Sequence, residues 1–325
     1  MISAFFNFFT RGRRGLTLVS HLIAIVSVFM VVVLYFSQNS FLEAFEDKSY
    51  DLRFTQWRGP IKPNDQIAII AIDEKSIKEL GRFPWRRDIY VKLLQRLTAA
   101  DARAVMLDIF FSEPESAQSD LALATAIKQA GNVTLSEYLD LDRELKVTGA
   151  IRNLPLFESS AAGVAHINFL PEHDGINRRN ILLLQDGSTQ IPSLGLAGAM
   201  ALLDVKSIQS GSYSIKVGNK DVPVDGDNAM WVNFVGPAHT FPYYSFTDVI
   251  HDRIDPGLLR DKVLFVGATA LGIYDMRVTP FDKNSPGVEV HATVTDDIVS
   301  GRFIRRSGID KLFDIFSIVV LGFAT

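Results

Sequence analysis

Two unbroken apolar runs stand at the ends of this chain, and a helix-and-strand rhythm fills the space between them. Residues 16–36 (LTLVSHLIAIVSVFMVVVLYF) contain no Asp, Glu, Lys or Arg. As a helix the run measures about 31 Å, against a hydrocarbon core of about 30 Å. Arg11, Arg13 and Arg14 precede it, and the first acidic residue, Glu43, follows it. Cationic flanks stay inside, so the pattern predicts a cytoplasmic segment over 1–15, a transmembrane helix over 16–36, and an exit to the outside. A cleaved signal peptide would have a shorter apolar stretch and a small-residue cleavage site, and LYFSQNSFLEA offers none. His21 lies near the inner end, where a histidine reaches the hydrated headgroups. Residues 312–325 (LFDIFSIVVLGFAT) are too few to span. They read as the start of a second transmembrane helix, with an apolar helix packed on the domain as the competing reading. Arg302, Arg305, Arg306 and Lys311 lie on the outer side of it. That runs against the positive-inside trend, which weakens after a long translocated domain.

The middle reads as one domain over 37–305, without an internal repeat or a Pro/Gly/Ser-rich linker. Residues 37–54 predict a helical stalk. Residues 66–72 (QIAIIAI) are apolar without alternation, as in a strand buried on both faces. An amphipathic helix over 88–100, a strand over 104–109, a helix over 121–130 and a strand over 132–135 follow, which predicts parallel pairing. The rhythm then changes. Asp174-Gly175, Asp186-Gly187 and Asp225-Gly226 are turn dipeptides between apolar runs, with strands expected at 180–185 and 229–235 and a helix over 193–203. The α/β pattern returns with a strand over 262–266 and a helix over 287–300, for which Ser285-Pro286 supplies an N-cap and a first-turn proline. The predicted fold class is α/β: a mixed, partly parallel sheet flanked by helices, with an antiparallel hairpin insertion.

Composition narrows the chemistry. The 325 residues have a net charge of −4, 47% hydrophobic residues and no cysteine. Disulfides and thiolate metal sites are excluded, and no charge run points to nucleic acid. Carboxylates recur just after apolar strands: Asp73 and Glu74, then Asp108, then Asp275. Open α/β sheets bind ligands at the carboxyl ends of neighbouring strands. With Arg86 and Arg87 of GRFPWRR, these four form a candidate ligand site for a polar solute or a cation. An aspartate there equally suits a helix start, accepting backbone hydrogen bonds. His291 is expected as a packing residue. GATALG at 267–272 lacks the Lys-Ser or Lys-Thr of a phosphate loop, and no hydrolase, zincin or dinucleotide signature occurs. No catalytic residue and no cofactor is expected.

Six stretches in a fixed order carry a resemblance: AIDEKSIKELGRFPWRRDIYVKLLQRL, AVMLDIFFSEPE, DGINRR with IPSL after it, VNFVGP, KVLFVGATALGIYDMRVTP and PGVEVHA. Together, over about Phe41 to Arg302, they resemble the CHASE type-2 family of sensory domains associated with cyclases and histidine kinases. The resemblance implies signal reception outside the membrane and supplies no ligand; a small-molecule or envelope ligand and a homodimer are the expected partners. The resemblance further implies a cytoplasmic adenylate or guanylate cyclase, a kinase or a diguanylate cyclase as output, which this chain does not contain. Two other classes fit the residues: a metal-dependent hydrolase using Asp73, Asp108 and Asp275, and a non-signalling envelope-binding scaffold.

Overall fold

The continuous apolar runs become central strands. In the computed structural model, which describes residues 13–37, 40–273, 276–305 and 308–324, the chain forms two units. One holds helices α1 (Arg13–Phe36), α2 (Ser40–Leu52) and, from the other end of the chain, α10 (Gly308–Ala324). The Tyr35 hydroxyl donates to Asp314 Oδ2 at 3.0 Å, and Gly322 lets α10 pack against Val28. Leu22, Phe29 and Met30 of α1 and Phe313 and Phe316 of α10 expose their apolar side chains. The side chains of α1 are described from Ser20 onward, and among the described residues no helix is long and apolar enough to cross a membrane.

The other unit, Arg53–Ile304, is a three-layer α/β body. In chain order it contains β1 (Ile67–Ile72), α3 (Glu74–Leu80), α4 (Arg87–Ala99), β2 (Ala104–Leu107), α5 (Ala117–Ala130), β3 (Val133–Leu141), β4 (Val147–Ile151), α6 (Pro155–Glu158) and β5 (Gly163–His166). The insertion follows, with β6 (Arg179–Ile181), β7 (Leu183–Asp186), β8 (Thr189–Pro192), α7 (Leu194–Leu202), β9 (Ile208–Ser210), β10 (Ser214–Val217), β11 (Lys220–Pro223) and β12 (Ala229–Trp231). The main sheet resumes with β13 (Tyr243–Ser245), α8 (Phe246–Ile250) and β14 (Val263–Ala268), then β15 (Met276–Arg277), β16 (Ser285–Pro286) and α9 (Gly287–Ser300).

The main sheet has the order β13-β1-β14-β2-β3-β4, with β5 also on β3. All its pairings are parallel except β3 with β4. Alternation along the strands builds two cores. Ala68, Ile70, Ile72, Leu107 and Val266 face α4, α5 and α8, where Tyr90, Leu94, Leu123 and Phe246 meet them. Ile67, Ile69, Met106 and Phe265 face α7 and α9, meeting Leu194, Leu202, Val288 and Ala292. Burial on both faces explains why Ile67–Ile72 carries no polar position.

Several boundaries differ from the sequence expectation for local reasons. Helix α5 starts earlier, because the Ser116 hydroxyl accepts the Ser119 amide at 3.1 Å and caps it. Helix α9 begins at Gly287 with Pro286 as its N-cap, and Ser285 instead pairs with Arg277. Strand β12 stops at Trp231; beyond it, the Val232 amide donates to the Arg178 carbonyl, and the Val235 carbonyl accepts from Ile61. The turn at Asp186-Gly187 does join an antiparallel pair, β7 and β8.

Helices α7 and α9 cross closely at Gly195 and Gly198. The Thr295 hydroxyl donates to the Gly195 carbonyl at 2.7 Å. A Cβ on Gly195 would stand 2.6 Å from Val294 Cβ and 2.8 Å from the His291 carbonyl oxygen. Alanine gains up to about 1 kcal/mol of helix propensity over glycine, whereas overpacking costs about 1–3 kcal/mol. Gly195→Ala should therefore lower the melting temperature of the purified protein. A variant that melts at or above the wild-type temperature would show that the helices separate at no cost.

Candidate functional site

The strand order reverses direction of growth at β1, with β13 added on one side and β14 and β2 on the other. Such a switch leaves a crevice at the carboxyl ends of the strands. Here it is a cleft of about 370 Å³, with Asp73, Glu74, His239, Tyr243, Ser245 and Thr269 in its wall. Asp73 leaves β1 and caps α3: its Oδ1 accepts the Ser76 amide at 2.8 Å, the Ser76 hydroxyl at 2.6 Å and the Ser245 hydroxyl at 2.9 Å. The helix-start reading of this aspartate is thus realised, and the same carboxylate also lines the cleft.

The far wall is held by a buried carboxylate. Glu289, in the first turn of α9, accepts the backbone amides of His239 at 3.0 Å and Thr240 at 3.1 Å, and the Tyr243 hydroxyl at 2.6 Å. His239 holds a positive φ of 68° and lays its ring 4.4 Å from that of Tyr243. Burial raises the Glu289 carboxyl above its ordinary range, against the opposing hydrogen bonds from Tyr243 and the amides. Burial and the Glu289 charge push the Tyr243 phenol up in turn. The loop at 239–241 is therefore fixed to α9.

Of the six residues singled out from the sequence, the five described ones do not share one site. Asp73 and Glu74 line the cleft. Asp108 follows β2, its amide donating to the Val266 carbonyl at 2.8 Å. Because β14 lies between β1 and β2, the two strands are not neighbours; the ends that carry Asp73 and Asp108 stand two strand spacings apart, about 10 Å. Arg86 is exposed and pairs with Asp88 at 3.4 Å. Arg87 braces the other core: its Nε reaches Asp120 at 3.3 Å, its Nη2 donates to the Glu113 carbonyl at 2.6 Å, and its guanidinium lies 4.8 Å from the Phe111 ring. Asp275 lies outside the described residues. Among the described residues, no group of three His, Asp or Glu side chains is placed to hold a metal ion.

Sequence reasoning passed over Glu289, His239, Tyr243, Ser245 and Thr269. One signal existed: in PGVEVHA a glutamate stands among apolar positions of a buried helix, where only a satisfied carboxylate is tolerated.

A family model described as CHASE2 domain matches residues 26–324. The chain belongs to the CHASE2 family. CHASE2 domains are extracellular sensory modules. No curated protein and no solved structure matches the chain. Four of the stretches that carried the resemblance reach this cleft or its supports: β1 with α3 and α4, the turn after β12, β14 with the segment after it, and the start of α9.

The CHASE2 body also buries two histidines. His166 ends β5, and His291 lies on α9, stacked at 4.9 Å on Phe169. Neither ring nitrogen of His291 meets a hydrogen-bond partner among the described residues. His291 was expected to be a packing residue, and it is fully buried. Burial lowers both histidines to about 3. In the unfolded chain each takes a proton near pH 6.5. Between those values the unfolded state binds more protons, so stability falls as pH falls, by about 1.4 kcal/mol per pH unit for each histidine. The buried carboxyls of Glu289, Asp296 and Asp297, raised by burial, act in the opposite sense. The difference between wild type and His291→Leu isolates the histidine. From pH 6 to pH 4 the wild type should lose about 1.4 kcal/mol per pH unit more than the variant in urea unfolding. Parallel curves would mean that His291 is charged in the fold.

Proposed function

We propose that this CHASE2 domain is the signal-input half of a membrane-anchored receptor, with the body Arg53–Ile304 outside the cytoplasmic membrane and a small polar ligand bound in the cleft beside Asp73. The observation that carries the ligand site is the position of the cleft: it lies at the carboxyl ends of parallel strands, at the strand where the sheet order reverses. The uncharged run 16–36 behind three arginines supports the anchor and its orientation. The apolar side chains that α1 and α10 expose suit lipid.

A receptor of this kind signals only if its ligand distinguishes two arrangements of the domain. The partner inside would be a cyclase, a kinase or a diguanylate cyclase, and pairing as a homodimer would bring two such modules together. Asp108, Arg86 and Arg87 take no part in ligand contact in this reading.

Two measurements test it. A reporter fused after Arg14 should be active only in the cytoplasm, and one fused after Gly218 only outside; a cytoplasmic Gly218 fusion would end the receptor reading. For the cleft, the protein is melted with a panel of small polar metabolites. A compound at 100 times its Kd should add about 2.7 kcal/mol of stability. Thr269→Trp, which fills the cleft, should abolish that gain. A gain that survives the substitution would place the ligand elsewhere.

A further inference from the structure

The chain enters and leaves the body through one hydrogen-bonded knot. Arg58 lies on the segment that directly follows α2 in sequence, and Arg302 on the segment that precedes α10. Asn233 stands between them. Its Oδ1 accepts from Arg58 Nη1, and its Nδ2 donates to the Arg302 carbonyl at 3.0 Å. Its backbone amide donates to Asp297 Oδ2 at 2.8 Å. Arg58 also donates to the Phe234 carbonyl and lies 4.3 Å above the Phe54 ring. On the exit side, the Arg302 guanidinium pairs with Asp296 and donates to the Lys62 carbonyl at 3.1 Å. Asp296 Oδ1 accepts the Asn64 amide at 2.8 Å. The side chains of Asp296 and Asp297 are fully buried.

Two elements run from this knot to the cleft. The first is the segment that carries Asn233: a few residues on, it supplies His239, Tyr243 and Ser245 to the cleft wall. The second is α9. Its first turn holds the cleft loop through Glu289, and its last turns hold the knot through Asp296 and Asp297. Seven residues of helix, about 10 Å, separate the two ends. A helix transmits a displacement along its axis with little loss, because its hydrogen-bond ladder and the packed core around it resist bending.

We propose that Asn233, clasped by Asp297, Arg58 and Arg302, is the pin that sets the spacing between incoming and outgoing chain, and that α9 carries the state of the cleft loop to it. The proposal rests on the cleft being the input site. It assigns Asn233, Asp296 and Asp297 a positioning role and makes α9 the two-ended element that both sites bias, which is the physical content a coupling claim requires.

The absence of cysteine makes the test direct. Spin labels at Gln56→Cys and Ile304→Cys report the entry-to-exit distance by pulsed dipolar spectroscopy on the whole chain in lipid nanodiscs. A second pair at the exposed Leu121→Cys and Tyr213→Cys checks that the body is folded. Asn233→Ala removes both side-chain bridges, and Glu289→Gln loosens the cleft loop at the far end of α9. Each should shift or broaden the entry-to-exit distance by about 2 Å while the control pair stays fixed. In the double variant, Glu289→Gln should add less than it does alone, since Asp297 reaches the two segments through Asn233 while Asp296 keeps its own bonds to Asn64 and Arg302. Where Glu289→Gln disturbs the control pair, Tyr243→Phe, which deletes one hydrogen bond to the same carboxylate, takes its place. An unchanged distance in Asn233→Ala overturns the pin. An effect of the cleft substitution that is absent alone, or that is undiminished beside Asn233→Ala, overturns the coupling. None of these readings uses a ligand, so they stand apart from the melting screen that tests the cleft.

Discussion

Helix α9 carries Glu289, Asp296 and Asp297 into the interior, and each carboxylate has to be supplied with donors there. That requirement fixes its surroundings more tightly than apolar packing does. Glu289 collects three backbone amides and a phenol and thereby shapes one wall of the cleft. Asp296 and Asp297 collect Asn64, Asn233 and Arg302 and thereby fix where the chain enters and leaves. The opposite side of the helix meets α7 at glycines, so α9 cannot drift away from its donors without opening the core.

The two faces of the sheet divide the work. Aromatic side chains fill one face: Trp85, Tyr90, Phe111 and Phe246 interlock, with Arg87 stacked on the cluster. The other face, under α7 and α9, combines aliphatic packing with glycine contacts, buried carboxylates and two buried histidines. A face built from close backbone contact and polar pairing has few alternative packings, and each costs a hydrogen bond. Discrete arrangements separated by such costs are what a sensory domain has to possess.

The strands and helices with one strong period were legible in the sequence. Ile67–Ile72, Val263–Ala268 and the helix at Gly287–Ser300 announce themselves through apolar runs and turn residues. The cleft was half legible. Asp73 and Glu74 follow a readable strand, whereas His239, Tyr243 and Thr269 reach it only because β13 and β14 join β1 from far along the chain. Asp108 and Asp73 looked like neighbours because their strands are consecutive, and the late strand β14 separates them. Sequence order carries no information about such an insertion. Arg87 looked like a ligand group because arginine beside a carboxylate-rich turn has that chemistry, yet its partners Asp120 and Glu113 lie in the first turn of α5 and the loop before it, ahead of the part of that helix its period reveals.

The position of β14 also governs how the protein is made. Strands β1 and β2 face each other across a gap one strand wide, and only residues 263–268 fill it. A chain delivered N-terminus first has its earliest strands in hand long before it has the one that joins them. Until then β1 and β2 present bare, strongly apolar edges. The sheet closes late and at a stroke, which is slow for contacts so distant in sequence. Any stop before β14 leaves a fragment with unpaired apolar edges, prone to aggregate, whose proper pairing partner never arrives.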